Sequence, residues 1–280
     1  MRPVLFLFLV GFLSVAALAQ SPLLKRTTTK TDKFDFGAGG SVVISGAPNG
    51  SIKVAGGNTN EIEITAEIEL QAATEADLAM LAAVTGFMTQ EEMGRVGIIT
   101  IGTHNKAGDK KLWKKFPKNL LQLPFRVDYV VTVPKYTDIE IDGGKGDLSV
   151  SGIEGSMKIT FLDAKKANIE VITGSTTAVF ERGTVDVTLG AKGWRGRTAD
   201  IMVATGDLKV RLPSNVSAEI DATVQRNGAI ENLLPGLKQR DRKVPFTDKA
   251  IMAKVGVGGV PLKFTVGDGN LKMERLVLPL

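Results

Sequence analysis

GDLSV at 146–150 and GDLKV at 206–210 are one unit written twice: a glycine, then polar and apolar residues in strict alternation. GSMKI (155–159) and GTVDV (183–187) stand between the two copies and have the same form, and NIEV (168–171) keeps the alternation without the glycine. Alternation with period two places every second side chain on one face, the signature of a half-buried strand, and the glycines mark bends. Working outward, apolar pairs two apart recur from Ile139/Ile141 to Leu208/Val210, separated by Gly143-Gly144, Gly146, Gly155, Gly174, Gly183, Gly190, Gly196 and Gly206. A chain that repeats such a unit forms either a sandwich of hairpins or a solenoid that stacks its strands. Like residues returning at the inward positions favour the solenoid, because each coil buries its row only against the next. The expected fold is therefore mainly β, a β-solenoid-like stack of short strands, with a β-sandwich as the alternative.

Before Pro134 the pattern is more varied. Pro48-Asn49-Gly50 and Gly56-Gly57-Asn58 supply turns among short strands. Thr74 followed by Asp77 reads as a capped helix start. Leu78, Leu81, Ala82 and Thr85, widened by Met80, Val84 and Phe87, predict one helix near 74–88. Arg95–Ile101 and Phe125–Val133 read as strands, and Pro134 ends the second because it cannot donate to a ladder. Near the other terminus, NLLPGLKQRDRKVPF (232–246) is basic and turn-rich, as a closing cap requires. Strand-like alternation then resumes at 251–255, 262–266 and 271–278. The expected organisation is a signal peptide at 1–19, a β-rich region at 20–135 and a repetitive short-strand region at 136–280, the last two forming one continuous domain.

The first residues place the protein outside the cytoplasm. MRPVLFLFLVGFLSVAALAQ has a charge at Arg2, an apolar run from Val4 to Leu18 and the triplet Ala17-Leu18-Ala19. That order is a secretory signal peptide with cleavage expected after Ala19, a retained anchor being the alternative. The run is shorter than the roughly 20 residues that span a bilayer. Export, to the periplasm or the outside, permits disulfides, yet the chain has no cysteine. Neither crosslinks nor thiolate metal sites hold the fold, and no amino-terminal lipid anchor can form. A net charge of +5 with both signs spread along the chain does not point to nucleic acid.

The exception is NKAGDKKLWKKFPKN (105–119), six lysines against one aspartate with two aromatics among them. As a loop it is either plain solvated surface or a contact for anionic lipid headgroups or acidic polysaccharide, with Lys110, Lys111, Trp113, Lys114, Lys115 and Lys118 as its contact residues.

APNGSIKVAGG, YVVTVP (129–134), IDGGKGDLSVSGIEGSMKIT, ANIEVITG and GDLKVRLP together resemble the bacterial adhesin-like domain of unknown function, a glycine-punctuated β-solenoid family. The resemblance covers roughly 40–215. It implies an exported adhesin-like role and carries no catalytic residues. The chain departs from it at FLDAKK (161–166) and GAKGWRGR (190–197), where charged residues replace the expected glycine turn.

The catalytic inventory is thin. His104 is the one histidine, so a histidine-pair metal site cannot form, and no G-x-S-x-G elbow supports a serine triad. Of Asp142, Asp147, Asp163, Asp186, Asp200 and Asp207 most sit in or beside turns, where aspartate serves local backbone bonds. A glycosidase pair could be drawn from them. GGKGDLSV misses the calcium-roll nonapeptide because Asp147 comes one residue early, without tandem repetition. GAGG (37–40) and VGVGGV (255–260) lack the lysine and hydroxyl of a phosphate loop. Asn49 and Asn215 fit the glycosylation pattern, relevant only in a eukaryotic secretory host. No cofactor is expected. The sequence thus points to a non-enzymatic, envelope-associated binding or structural protein whose partner is a lipid, glycan or protein. The alternative is a carbohydrate-active hydrolase using paired turn aspartates.

Overall fold

The computed structural model describes residues 23–37, 39–190 and 196–277. The expected signal peptide lies outside these residues, as do 191–195 of GAKGWRGR.

The described chain is mainly β, a long unclosed stack with one helix of seven or more residues. In order it runs β1 (Leu24–Asp35), β2 (Ser41–Ser45), β3 (Ile52–Gly57), β4 (Glu61–Ala72), α1 (Glu75–Val84), β5 (Gly86–Glu92), β6 (Arg95–Ile101), the short α2 (Lys110–Lys114) and β7 (Phe125–Pro134). The repetitive half follows as β8 (Asp138–Ser151), β9 (Met157–Val171), β10 (Ser175–Leu189) and β11 (Thr198–Leu212). The chain closes with β12 (Ala218–Val224), β13 (Ile230–Asn232), β14 (Lys238–Gln239), β15 (Ala250–Val255), β16 (Val260–Asp268) and β17 (Leu271–Arg275).

β8 to β11 pair in parallel, and each bends once near its middle, so each supplies a first and a second leg of a coil. β2 with β3, β6 with β7, β16 with β17 and β12 with β13 supply further coils whose legs are separate strands. In the first legs one inward row runs Ile98, Ile44, Ile141, Ile159, Ala178, Ile201, Phe264, Ala222. In the second legs Tyr129, Ile52, Leu148, Ala167, Val185, Leu208, Leu271 and Ile230 form another. All of these residues are buried and belong to one core. Each larger aliphatic in such a row contributes about 1.5–3 kcal/mol by leaving water. Parallel register puts like beside like, which is why the short motif recurs.

The coils bend at glycine. Gly50, Gly146, Gly183, Gly206, Gly269 and Gly228 stack at one corner, and a methyl group placed on Gly206 would lie 1.9 Å from the Gly183 carbonyl oxygen. At φ +129° Gly206 also holds a backbone that side chains disfavour. The corner of β9 is the exception. Ala164 stands in the glycine's place, and two residues, Lys165 and Lys166, separate it from the next inward residue, Ala167. The register shifts against both neighbours there, a one-residue bulge.

Chain order and stacking order differ at both ends. β2 and β3 lie between β8 and the β6–β7 coil, although β6 and β7 come later in the chain. β16 and β17 lie directly on β11, with β12 and β13 outside them. Antiparallel strands then close the stack: β4 and β1 beyond β7, β5 beyond β6, β15 and β14 beyond β12. Such closure blunts edges that would otherwise template further pairing.

The helix starts where its cap places it. The Thr74 hydroxyl oxygen accepts from the Asp77 amide at 3.1 Å, and the hydroxyl donates to the Asp77 carboxylate at 2.8 Å. It ends at Val84, before the expected residue 88, because Phe87 belongs to β5. There Phe87 packs edge-on against Tyr129 at 6.1 Å between centroids.

Tyr129 carries a buried polar link. Thr100 Oγ1 donates to the Ser45 carbonyl at 2.9 Å, so its lone pair accepts from the Tyr129 hydroxyl at 2.8 Å. Burial pushes the Tyr129 pKa from 10.0 up to about 12, against the opposing pull of the Thr100 bond. The folded state therefore keeps a proton that the unfolded chain releases above pH 10. The stability this contributes is fully present below pH 10 and declines as pH rises toward about 12. Tyr129→Phe is expected to cost about 1 kcal/mol at neutral pH and to flatten that alkaline decline. Urea unfolding of both proteins at intervals from pH 8 to pH 12 measures it, and parallel declines would refute the assignment.

Candidate functional site

In most coils the passage from first to second leg takes a single bend at the glycine corner. Between β6 and β7 it takes residues 102–124, which include the lysine-rich segment. This insertion is an ordered structure rather than a plain loop. The Asn105 side chain ties its entry, donating to the Thr100 carbonyl at 2.8 Å and accepting from the Ala107 amide at 3.1 Å. Asp109 caps α2 by accepting from the Lys111 amide at 2.8 Å. A 3-10 turn, Lys118–Leu120, follows, and Leu120 is buried while Phe116 and Leu123 pack against the core.

Of the six sequence candidates, Lys110, Lys111, Lys114, Lys115 and Lys118 are exposed. Among the described residues none of these five makes an ion pair, so their charge faces solvent. Trp113 behaves differently. It is half-buried, donates from Nε1 to the Ala107 carbonyl at 2.8 Å and packs on Phe116 at 5.1 Å between centroids. It braces the segment and leaves Leu112 as the exposed apolar residue between the lysines. His104 stacks on Phe125 at 5.5 Å, and partial burial lowers its pKa, so it adds no charge near neutrality.

The insertion continues into the glycine corner. Val127 donates to the Asn49 carbonyl at 3.0 Å and Tyr129 to that of Ser51 at 2.8 Å, fixing the start of β7 against residues 49–51. Just before the corner glycines Lys145, Asp163, Arg182, Thr205 and Asp268 stand in register, with Lys165 and Lys166 projecting from the β9 bulge. Charge along this ridge is uneven. Cations dominate near the insertion, whereas at the far end Asp268 binds Arg226 at 2.5 Å.

Between these ends lies a depression of about 360 Å³ lined by Asn49, Ser51, Arg126, Lys145, Asp147, Asp163 and Lys165 together with the corner glycines. Its floor is stacked backbone: Gly50 donates to the Lys145 carbonyl at 2.8 Å and Lys145 to that of Pro48 at 2.9 Å. Asp128 anchors Arg126 through bonds of 2.7 and 2.9 Å and raises its pKa, while also accepting from the Ser51 amide at 2.6 Å. Lys145 and Lys165 have no ion-pair partner among the described residues. The sequence named Asp147 and Asp163 as turn aspartates but gave no reason to join them to these lysines.

Of the remaining aspartates, Asp186, Asp200 and Asp207 are occupied. Asp186 pairs with Arg211, and Asp200 lies 3.3 Å from Lys263. Asp207 accepts from the Asn270 amide at 2.9 Å, and the Asn270 side chain accepts from the Ala229 amide at 3.2 Å. That relay satisfies corner amides from coil to coil. Asp142 is exposed on the outer surface of the first legs. Among the described residues no group of three or more histidine, cysteine, aspartate or glutamate side chains is placed to hold a metal ion, and no helix is long and apolar enough to cross a membrane.

The sequence matches no family model and no curated protein. Among solved structures, a "putative cell adhesion protein" from Clostridium sporogenes is similar at 12% identity and TM-score 0.49, over 89% of this chain and 100% of that one. A "putative adhesin" from Bacteroides fragilis has 11% identity and TM-score 0.27 over 89% and 97%. A "putative lipid binding protein" from Parabacteroides distasonis has 10% identity and TM-score 0.26 over 89% and 97%. Likenesses this distant assign neither activity nor ligand.

Proposed function

We propose that this is an exported, non-enzymatic, adhesin-like protein that attaches to an anionic surface of the cell envelope through residues 105–119. The observation that carries the reading is the presentation of five exposed lysines, without ion-pair partners among the described residues, on a segment braced from beneath by Phe116 and Leu120, with Trp113 packed on Phe116. Bracing matters because a rigid segment loses little freedom when it docks. Near an anionic membrane surface each lysine contributes about 1 kcal/mol, and the attraction falls off within a Debye length. Five acting together therefore produce retention that salt reverses. The repetitive core serves as a stiff support, and its regularity is explained by packing without a catalytic role.

The test is cosedimentation of the purified chain with isolated bacterial envelope at low and high salt, beside a variant with Lys110, Lys111, Lys114, Lys115 and Lys118 changed to glutamine. The expected result is salt-sensitive retention that falls at least about tenfold in the variant. Retention indifferent to both salt and these lysines removes the segment from the contact.

A further inference from the structure

We propose that the corner depression bounded by Asn49–Ser51, Lys145–Asp147 and Asp163–Lys165 binds one acidic sugar unit of a polysaccharide whose chain continues over residues 105–119. This rests on the preceding reading that the segment is a contact surface, and it names the ligand class and a second site. Three independent features converge. The first is the volume, about 360 Å³, within the small-ligand range of about 300–1,000 Å³. The second is the lining. It contains no apolar side chain: Lys145 and Lys165 can bind a carboxylate or sulfate, while Asn49, Ser51, Asp147 and Asp163 can bond hydroxyl groups.

The third feature is the β9 bulge. Among the described residues both register shifts of the parallel stack fall at this corner, and the extra residue sets Lys165 and Lys166 out from the ridge. A regular glycine bend would leave no such wall. Bulges re-aim side chains in this way next to binding sites. The recess and its two carboxylates disfavour a phospholipid surface, which is broad and densely anionic. A single chain of hydroxylated, negatively charged units fits the same place. Arg126 joins the site to the segment, since it lines the depression and lies at the start of β7, where the insertion ends.

The test uses polygalacturonate as the acidic probe, dextran as the neutral control and anionic phospholipid vesicles as the lipid probe. Binding is measured by affinity electrophoresis and vesicle cosedimentation for the parent chain, K145Q/K165Q and the five-lysine variant. Circular dichroism melts confirm that each variant folds. The expected result is polygalacturonate binding that weakens about tenfold or more in K145Q/K165Q, with dextran not bound and vesicle binding unchanged by K145Q/K165Q. Polygalacturonate binding that depends on the five lysines but not on Lys145 and Lys165 overturns the depression as a site and leaves the segment reading standing. If K145Q/K165Q impairs polygalacturonate binding while envelope retention ignores the five lysines, the segment reading fails and the depression stands alone. Vesicle binding lost in K145Q/K165Q makes the depression a lipid contact and overturns the polysaccharide assignment. Shortening of the polymer by the parent chain, abolished by Asp163→Asn, replaces binding with hydrolysis.

Discussion

Gly206→Ala is expected to destabilise the protein by about 4 kcal/mol, although it adds one methyl group. Two costs combine at this corner. Backbone at φ +129° is strained for any side chain, at about 1–3 kcal/mol. The added carbon would also meet the Gly183 carbonyl oxygen at 1.9 Å, so stacked coils must part, at about a further 1–3 kcal/mol. Because Gly269 stacks on Gly206 with the same 1.9 Å approach, a shift there disturbs the next coil as well. Gly57→Ala is the control. Its methyl group would find ordinary contacts of 3.8 and 3.9 Å, and the change is expected to stay within about 1 kcal/mol. Urea unfolding followed by circular dichroism compares them. Equal effects would show that close stacking at the corner does not hold the coils.

Phe161 tests the interior in the same way. It is fully buried and packs against Phe180 at 6.3 Å between centroids. Its ring also covers Gly143 of the preceding coil, where an added methyl group would lie 2.2 Å away. Phe161→Ala is expected to cost about 3–5 kcal/mol through lost burial and the cavity left behind. Gly143→Ala alone is also expected to destabilise, because the ring blocks the new carbon. The double variant should cost less than the sum of the two, since removing the ring clears the space the methyl group needs. Strict additivity would mean that glycine and ring are not matched across the coils.

These effects indicate which parts of the fold could be read from residues alone. Alternation in GDLSV and GDLKV identified strands, and Thr74 with Asp77 identified the start of α1, because both signals are local. The coil length was hidden. Intervals such as Leu148 to Met157 join the second leg of one coil to the first leg of the next, so they mix strand spacing with the length of the connecting turn. Pairs related by stacking lie 18 residues apart between β8 and β9 and 19 between β9 and β10, but 23 between β10 and β11, as from Ala178 to Ile201, so no fixed period shows in the sequence. Phe87 fits a helical face by spacing, yet its contact with Tyr129 puts it in a strand. Nothing local places β2 and β3 between β6–β7 and β8, or slides β16–β17 beneath β12–β13. Those positions are set by pairing across long stretches of chain.

The candidate site divides along the same line. The lysines of 105–119 are visible as a run of charge, and all six are exposed and without an ion-pair partner among the described residues. Trp113 reads from the sequence as a contact residue by its chemistry, and in the structure it is half-buried and bonded to the Ala107 carbonyl. The depression was out of reach because its residues come from three coils and from the start of β7. One signal was present: FLDAKK interrupts the glycine rhythm, and that interruption is the bulge that raises Lys165 and Lys166 beside Lys145.

The most direct measurement is lysine footprinting, in which the chain is acetylated with and without polygalacturonate and each site is read by mass spectrometry. Protection of Lys145, Lys165 and the lysines of 110–118, with Lys53, Lys209 and Lys272 on the outer surface of the second legs unchanged, is the predicted result. Protection spread evenly over all of these lysines, or none at any of them, would contradict a binding surface built on the glycine corner.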